Sequence, residues 1–235
     1  MNELPDAPAP ERRPNAVLQT WSAALTRPSE QTYAAIASTP GAKASTAYLW
    51  VFVAALIQLI LAALVQGRIY PEIAQQLGLD PNVFGARSGV ASILASALCG
   101  APIGAALQTL FFAIGVAIIQ WLAKMFGGRG TYDQLAYTFA AIAAPYSIIV
   151  GIFTLFSAIP YAGVCFGLFG LLAFLYIIVL YLMAIKGVNQ VGWGAAIGAF
   201  FLPALVLGFI CVCLGGALAA ALIPVIQQSA PNFAP

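Results

Sequence analysis

Long apolar stretches without charge alternate with short polar segments along this chain and predict membrane-spanning helices. One stretch runs from Ala44 to Gly67, and a second runs from Ser88 to Ala123. The uncharged residues between Asp133 and Lys186 suffice for two spans, with a turn predicted at 159–163. A last span is predicted near 195–222. Because a helix crosses a bilayer with about 20 apolar residues, the pattern predicts five spans.

The second stretch is too long for one straight span, and Gly100, Pro102 and Gly104 interrupt it. Proline and glycine are poor residues for a helix interior. We therefore predict a short interfacial helix up to Cys99, followed by a span from about Ile103 to Ala123. The predicted fold class is an all-α integral membrane protein with five transmembrane helices in a compact bundle.

The distribution of Lys and Arg predicts the orientation, because cytoplasmic loops retain positive charge. With the N-terminus in the cytoplasm, seven cations flank the spans inside and two outside. The inner set is Arg12, Arg13, Arg27, Lys43, Lys124, Arg129 and Lys186, and the outer set is Arg68 and Arg87. An odd number of spans then places the C-terminus outside.

The N-terminal segment begins with a polar, proline-rich stretch, which is not expected of a cleavable signal peptide. Val17, Leu18, Trp21 and Leu25 follow at helical spacing and predict a short amphipathic helix, with a second one after Pro28. These helices either lie on the inner membrane surface or pack against the cytoplasmic loops of the bundle. The predicted division is a cytoplasmic tail over 1–45, a membrane domain over 46–223 and an external tail over 224–235.

Composition narrows the function. Of 235 residues, 62% are hydrophobic and only 7% are charged, which is incompatible with a soluble surface. A net charge of +2 argues against nucleic-acid binding, and the absence of histidine removes the commonest general base. The predicted spans contain no acid or base, which argues against an enzyme or an ion-coupled transporter. We expect no cofactor, no metal and no catalytic residue.

The polar residues and the prolines within the spans can each be interpreted in two ways. Glutamines and hydroxyls favour hydrogen bonding between helices over a substrate path. Prolines inside a span are candidate helix kinks, which serve as fixed bends or as transport hinges. The polar set is Gln58, Gln108, Thr109, Gln120, Thr138, Ser147 and Thr154, and the candidate kinks are Pro102, Pro145 and Pro203.

The most distinctive segment follows the second span. Its glycines predict a tight reversal, and Thr131 is placed to cap the next helix. It lacks the Lys-Ser/Thr ending of a phosphate-binding loop and the strand that precedes one. The candidate cytoplasmic interaction loop comprises Gly127, Gly128, Arg129, Gly130, Tyr132, Asp133 and Gln134.

In their order, these residues resemble the central segment of the Yip1 domain family. The resemblance covers Phe126 to Gln134 together with Ala144 and Pro145, and the stretch YLMAIKGVNQVGWGAA resembles the family's entry into its fifth helix. It implies a five-span helical domain with a cytosolic N-terminus and transfers no catalytic residue. The chain lacks the Asp-Leu-Tyr-Gly-Pro motif of eukaryotic members, so it is more similar to the bacterial branch, and GTPase binding is not carried over.

Two functions remain open from the sequence. A non-enzymatic scaffold or adaptor would hold a membrane or cytosolic protein partner at its inner face, alone or as a homo-oligomer in the lipid bilayer. A carrier or lipid-handling protein would move an uncharged or amphipathic molecule through kinked spans 3 and 5. A cavity bounded by Gln108, Thr138, Ser147 and Pro203 favours the carrier. The expected location is the bacterial cytoplasmic membrane, or the ER and Golgi in a eukaryote.

Overall fold

The computed structural model describes residues 16–76, 94, 96–157, 162–206, 208, 209, 212 and 213. Every regular element among these residues is helical, which confirms the all-α class. The helices are α1 (Ala16–Thr26), α2 (Glu30–Ala37), α3 (Ala44–Gln76), α4 (Ala101–Met125), α5 (Tyr132–Ser157), α6 (Ala162–Asn189) and α7 (Trp193–Val206). A π-helical turn at Ser96–Gly100 precedes α4.

Four helices in the described residues are long and apolar enough to cross a membrane. Their apolar segments are Ala44–Val65, Ala97–Met125, Tyr132–Phe156 and Phe166–Asn189, in agreement with the first four predicted spans. The shorter α7 covers the start of the predicted fifth span. Most of that span after Val206, and the predicted tail at 224–235, lie outside the described residues, so the count of five stays a prediction.

Helix α3 extends beyond the first span. Its apolar segment ends at Val65, in agreement with the prediction, while the helix continues through Arg68 and Pro71 to Gln76. A charged residue marks where the hydrocarbon region ends, and it does not by itself stop a helix.

The bundle is built around the contact between α3 and α5, which is the most extensive one in the described residues. Both helices present small side chains to each other, and these are buried: Ala47, Ala54 and Ala55 on α3, and Ala136, Ala140, Ala141 and Ala144 on α5. At Gly151 an added Cβ would lie 3.1 Å from Gln58 Cα. Small residues let the two backbones approach closely, as is usual for helices packed in a membrane.

Large apolar side chains cover the outside of the bundle. Phe111, Leu172 and Leu205 are 68%, 63% and 67% exposed, and many neighbours on α4, α6 and α7 are similar. An exposed surface of this kind is stable only in contact with lipid. The described helices therefore contact the bilayer directly.

The N-terminal helices pack on the bundle. Helix α1 contacts α5, while α2 contacts α5 and α6. Ala24, Tyr33 and Ile36 are buried in this contact. Of the two arrangements predicted for the tail, packing on the bundle agrees with the structure, although the contacts are to helices and not to loops.

Candidate functional site

The candidate interaction loop connects α4 to α5 and begins with a Schellman motif. Gly128 N–H donates to Ala123 O at 2.9 Å, and Gly127 N–H donates to Lys124 O at 3.0 Å. Gly127 has a φ of +87°, the left-handed conformation that this motif requires. The motif satisfies the last carbonyls of α4 and turns the chain sharply towards α5.

Gly128 and Gly130 are needed for a different reason, which is close packing on the end of α6. A Cβ at Gly130 would lie 2.8 Å from both Val188 O and Asn189 Oδ1. One at Gly128 would lie 2.7 Å from Ala123 O and 3.0 Å from Asn189 Cβ. Neither position has room for a side chain, so the loop is fixed against α6.

Two buried amides complete this packing. Gln120 Nε2 donates to Gly130 O at 2.6 Å and to Asn189 Oδ1 at 2.9 Å. Arg129 N–H donates to Asn189 O at 3.0 Å. The Gln120 and Asn189 side chains are 3% and 0% exposed, so these bonds lie away from water. Together they tie α4, the loop and α6 into one unit.

The residues that open α5 hold neighbouring helices. Thr131 and Gln134 form a capping box, in which Gln134 N–H donates to Thr131 Oγ1 at 3.3 Å and Thr131 N–H donates to Gln134 Oε1 at 2.9 Å. Asp133 Oδ1 accepts from Ala44 N–H at 3.0 Å and so caps α3 from another helix. The predicted cap at Thr131 is confirmed.

Tyr132 lies between α3 and α4. Its hydroxyl donates to Ala113 O at 3.1 Å, and the Tyr48 hydroxyl lies 2.5 Å from it. The structure therefore brings all seven residues of the candidate interaction loop to one junction of α3, α4, α5 and α6.

We call this end of the molecule the basic end. It is formed by α2, the start of α3, the loop Phe126–Thr131 and the turn Gln190–Gly192. The ion pair found in the described residues joins Lys186 Nζ to Glu30 Oε1, and the ammonium also lies 4.7 Å from the centre of the Trp193 ring. The other cations at this end are exposed and have no ion pair in the described residues: Arg27, Lys43, Lys124 and Arg129.

The ion pair lies in an open cleft of about 360 Å³ between α2 and α6. Gly187 allows this contact, because a Cβ there would lie 2.6 Å from Glu30 O. On α2 the buried Tyr33 hydroxyl donates to Ala24 O of α1 at 2.8 Å. Burial, reinforced by nearby Tyr176, raises the pKa of Tyr33 above its ordinary value.

Helix α1 is held by aromatic contacts. Trp21 meets Trp50 edge to face with ring centres 5.8 Å apart, and Trp50 lies 4.8 Å from Tyr137. The Trp21 ring is therefore packed against other residues of the molecule, whereas Leu18 on the same helix is 64% exposed.

The candidate kinks lie away from this junction. Pro145 is inside α5, Pro203 is inside α7, and Pro102 stands in the first turn of α4, where a proline removes no helical hydrogen bond. Their role as kinks stays a prediction.

A residue that the sequence reasoning missed is Asn189, which ends α6 and holds the loop. The sequence feature that could have indicated Asn189 is an amide side chain at the end of an apolar stretch. In the structure a turn follows at Gln190, whose φ is +55°. Of the residues expected to bound a carrier's cavity, Gln108 and Ser147 line one. Thr138 is instead buried and donates to Gln134 O. Pro203 does not line that cavity.

The fold and the exposed apolar surface define an all-α, multi-pass integral membrane protein. Residues 22–215 match the family model for the Yip1 domain, so the chain belongs to the Yip1 domain family. No curated protein and no solved structure matches the chain.

Proposed function

We propose that this protein is a non-enzymatic scaffold or adaptor that holds a protein partner at its basic end. The observation that carries the proposal is Arg129, which is exposed and has no ion pair among the described residues, on a loop whose backbone is fixed on both sides. A rigid loop loses little conformational entropy when a partner binds, so its contacts contribute more fully to affinity. The hydrogen bonds of Gln120 and Asn189 already fix the loop in the folded protein, so a partner does not have to order it.

The basic end faces the cytoplasm in this proposal. Among the described residues five cations lie at this end against two carboxylates, which are Asp133 at the cap of α3 and Glu30 in its pair with Lys186. Cytoplasmic segments retain Lys and Arg, which gives the N-terminus the same location. The fifth span, which begins with α7, then takes the C-terminus to the other side. The proposed location is the bacterial cytoplasmic membrane, because the chain resembles the bacterial branch of the family.

The partner is a protein with an acidic surface. Exposed cations attract such a surface over a distance of about a Debye length and align it on approach. A second copy of this chain presents the same cations and is repelled at this face. Any homo-oligomer would therefore form through the lipid-facing helices and would leave the basic end free.

The carrier is not proposed. Thr138 lies in the packed core and Pro203 lies on α7, so the residues that were expected to bound a path do not share one cavity. The described carboxylates of the basic end are engaged in a helix cap and an ion pair, which supports a binding role over acid or base catalysis.

Site-specific crosslinking in native membranes tests the proposal. A photoreactive amino acid replaces Gly41, which is exposed near Ala44 and has open space around it. In Arg129→Gln, the yield of a defined protein adduct should fall about tenfold, the effect of losing about 1.4 kcal/mol of binding. Arg68→Gln removes a cation from the far part of α3 and should leave the yield unchanged.

Folding must be equal in the two proteins for this comparison to hold. Arg129 is exposed and has no ion pair within the part of the chain that the structure describes, so its replacement should change stability by less than about 0.5 kcal/mol. Equal adduct yields from wild type and Arg129→Gln, at matched expression, would reduce the loop to a turn between two spans.

A further inference from the structure

A cavity of about 310 Å³ lies inside the helix bundle, apart from the basic end. Its polar lining comes from four helices: Gln58 of α3, Gln108 of α4, Tyr146 and Ser147 of α5, and Tyr181 of α6. Apolar side chains such as Phe112 complete the wall. The described lining contains no charged side chain, so it suits an uncharged molecule with both polar and apolar parts.

The cavity lies at membrane depth. At 1.5 Å per residue, Gln58 is about 21 Å along α3 from the basic end, and Ser147 is about 22 Å along α5. Both positions fall within the apolar segments of their helices. A polar lining at this depth is costly unless its groups find hydrogen-bond partners.

One of these groups lacks such a partner. Gln58 Oε1 is buried and accepts no hydrogen bond from the described residues. The close approach of Gly151 to Gln58 Cα fixes the backbone at this point. A buried carbonyl oxygen without a donor costs about 1–3 kcal/mol, which a ligand hydroxyl would recover once the Gln58 side chain turns this oxygen towards the cavity that the residue lines.

The helices beside the cavity leave room for an apolar chain. In the described residues α4 and α6 contact each other only sparsely, although both line the cavity. A volume of about 310 Å³ is at the lower end for ligand pockets, which suits a glycerol-sized group better than whole acyl chains. The chains of such a ligand would extend between α4 and α6.

We propose that this cavity binds an uncharged lipid with a free hydroxyl, of the diacylglycerol kind, whose hydroxyl donates to Gln58 Oε1. Phospholipids are excluded, because the described lining offers no cation to meet a phosphate in a region of low dielectric constant. The proposal concerns a site that the proposed scaffold function does not use, so either can fail without the other.

Photolabelling of the full chain in phosphatidylcholine vesicles tests this site. The probe is a diacylglycerol with a photoreactive group in one acyl chain. Label should appear on peptides of α4 and α6, between which the acyl chains would extend, and an excess of ordinary diacylglycerol should remove it. A photoreactive phosphatidylcholine should label lipid-facing positions without such competition. If an excess of ordinary diacylglycerol did not reduce labelling by the probe, the proposal would be overturned. A cavity that holds only water offers no site for which the two lipids compete.

Two variants and a control sharpen the result. Gln58→Leu should lower specific labelling about tenfold while raising the thermal unfolding midpoint in lipid-free detergent, because it removes an unpaired buried acceptor. Ala143→Phe fills the cavity from its wall and should also abolish specific labelling. Thr109→Val is the control, because the Thr109 hydroxyl bonds to Ala105 O within its own helix and does not line the cavity. Specific labelling that persists in both cavity variants would place the lipid elsewhere.

Discussion

Gln120 Nε2 donates a hydrogen bond to Asn189 Oδ1 at 2.9 Å, although 69 positions separate the two residues in the chain. The same nitrogen bonds to Gly130 O, so one buried amide joins two helices and the loop between α4 and α5. Within the bilayer region polar side chains serve this purpose well, because their alternative is to remain unpaired in an apolar environment. The geometry of the basic end therefore depends on a pair of uncharged residues.

The first prediction concerns this pair. Gln120→Met keeps the length of the side chain and removes its hydrogen bonds. Gly130 O and Asn189 Oδ1 then lose a donor while buried, and the free energy of unfolding should fall by about 1–3 kcal/mol. Reversible unfolding by SDS in mixed micelles measures the change. Thr109→Val is the matched control, and an equal loss in both proteins would show that the pair has no special role.

The second prediction concerns the different reasons for which the loop needs glycine at its different positions. Gly130→Ala should be severely destabilising, because its Cβ would lie 2.8 Å from the carbonyl oxygen of Val188, which cannot rotate away. Gly41→Ala, where nothing lies within 4 Å, should be nearly neutral. The yield of folded protein in detergent, measured by size-exclusion chromatography, makes the comparison.

Gly127 provides the contrasting case. Its Cβ would meet open space, but its φ of +87° is unfavourable for most side chains. Gly127→Ala should cost about 1–2 kcal/mol, and Gly127→Asn should cost less, because asparagine tolerates this region. If Gly127→Ala were as harmful as Gly130→Ala, close packing would not be what distinguishes the two positions.

The sequence predicted the elements of this junction better than their contacts. Thr131 and Gln134 are three residues apart, so the capping box and the start of α5 could be read locally. Asp133 appeared to belong to its own helix, yet it caps α3 at Ala44. Such a contact depends on how the helices are arranged in space, which the spacing of residues within one helix does not specify.

Packing also explains the remaining differences. The glycines of the loop predicted a turn, but only the packing of the loop on the ends of α4 and α6 explains why Gly128 and Gly130 leave no room for a Cβ. The sequence favours hydrogen bonding between helices for Gln58 and Gln108, and the structure adds that both line a cavity. The choice between these roles is set by the helix that faces each residue.

The third prediction concerns orientation. In a variant without its own cysteines, a single cysteine at Gly41 should resist a membrane-impermeant thiol reagent added outside intact cells if the basic end faces the cytoplasm as we propose. Single cysteines at Asn82 and Ser229 should react. Detergent permeabilisation should expose Gly41→Cys and serves as the control for its accessibility. Reaction of Gly41→Cys in intact cells would reverse the proposed orientation.

The fourth prediction links the docking of the N-terminal helices to pH. Burial raises the pKa of the Tyr33 phenol above its ordinary value of 10.0, because the folded protein disfavours the charged form. The unfolded chain therefore releases this proton at lower pH than the folded protein does. The stabilisation contributed by the protonated phenol is fully present below about pH 10 and is lost as the pH rises towards the folded pKa. Tyr33→Phe lacks the bond to Ala24 O and should be less stable by about 0.5–1.5 kcal/mol at neutral pH.

The difference in stability between wild type and Tyr33→Phe reports on the Tyr33 phenol alone, because all other tyrosines titrate in both proteins. Thermal unfolding in detergent at a series of pH values should show the wild-type advantage constant up to about pH 10 and shrinking above it, because phenylalanine has no proton to lose. Ultraviolet absorbance of tyrosinate should show one group fewer titrating at the alkaline end in Tyr33→Phe. A difference in stability that stayed constant into the alkaline range would mean that the Tyr33 hydroxyl is solvated, and that α1 and α2 are not closed over it as the structure describes.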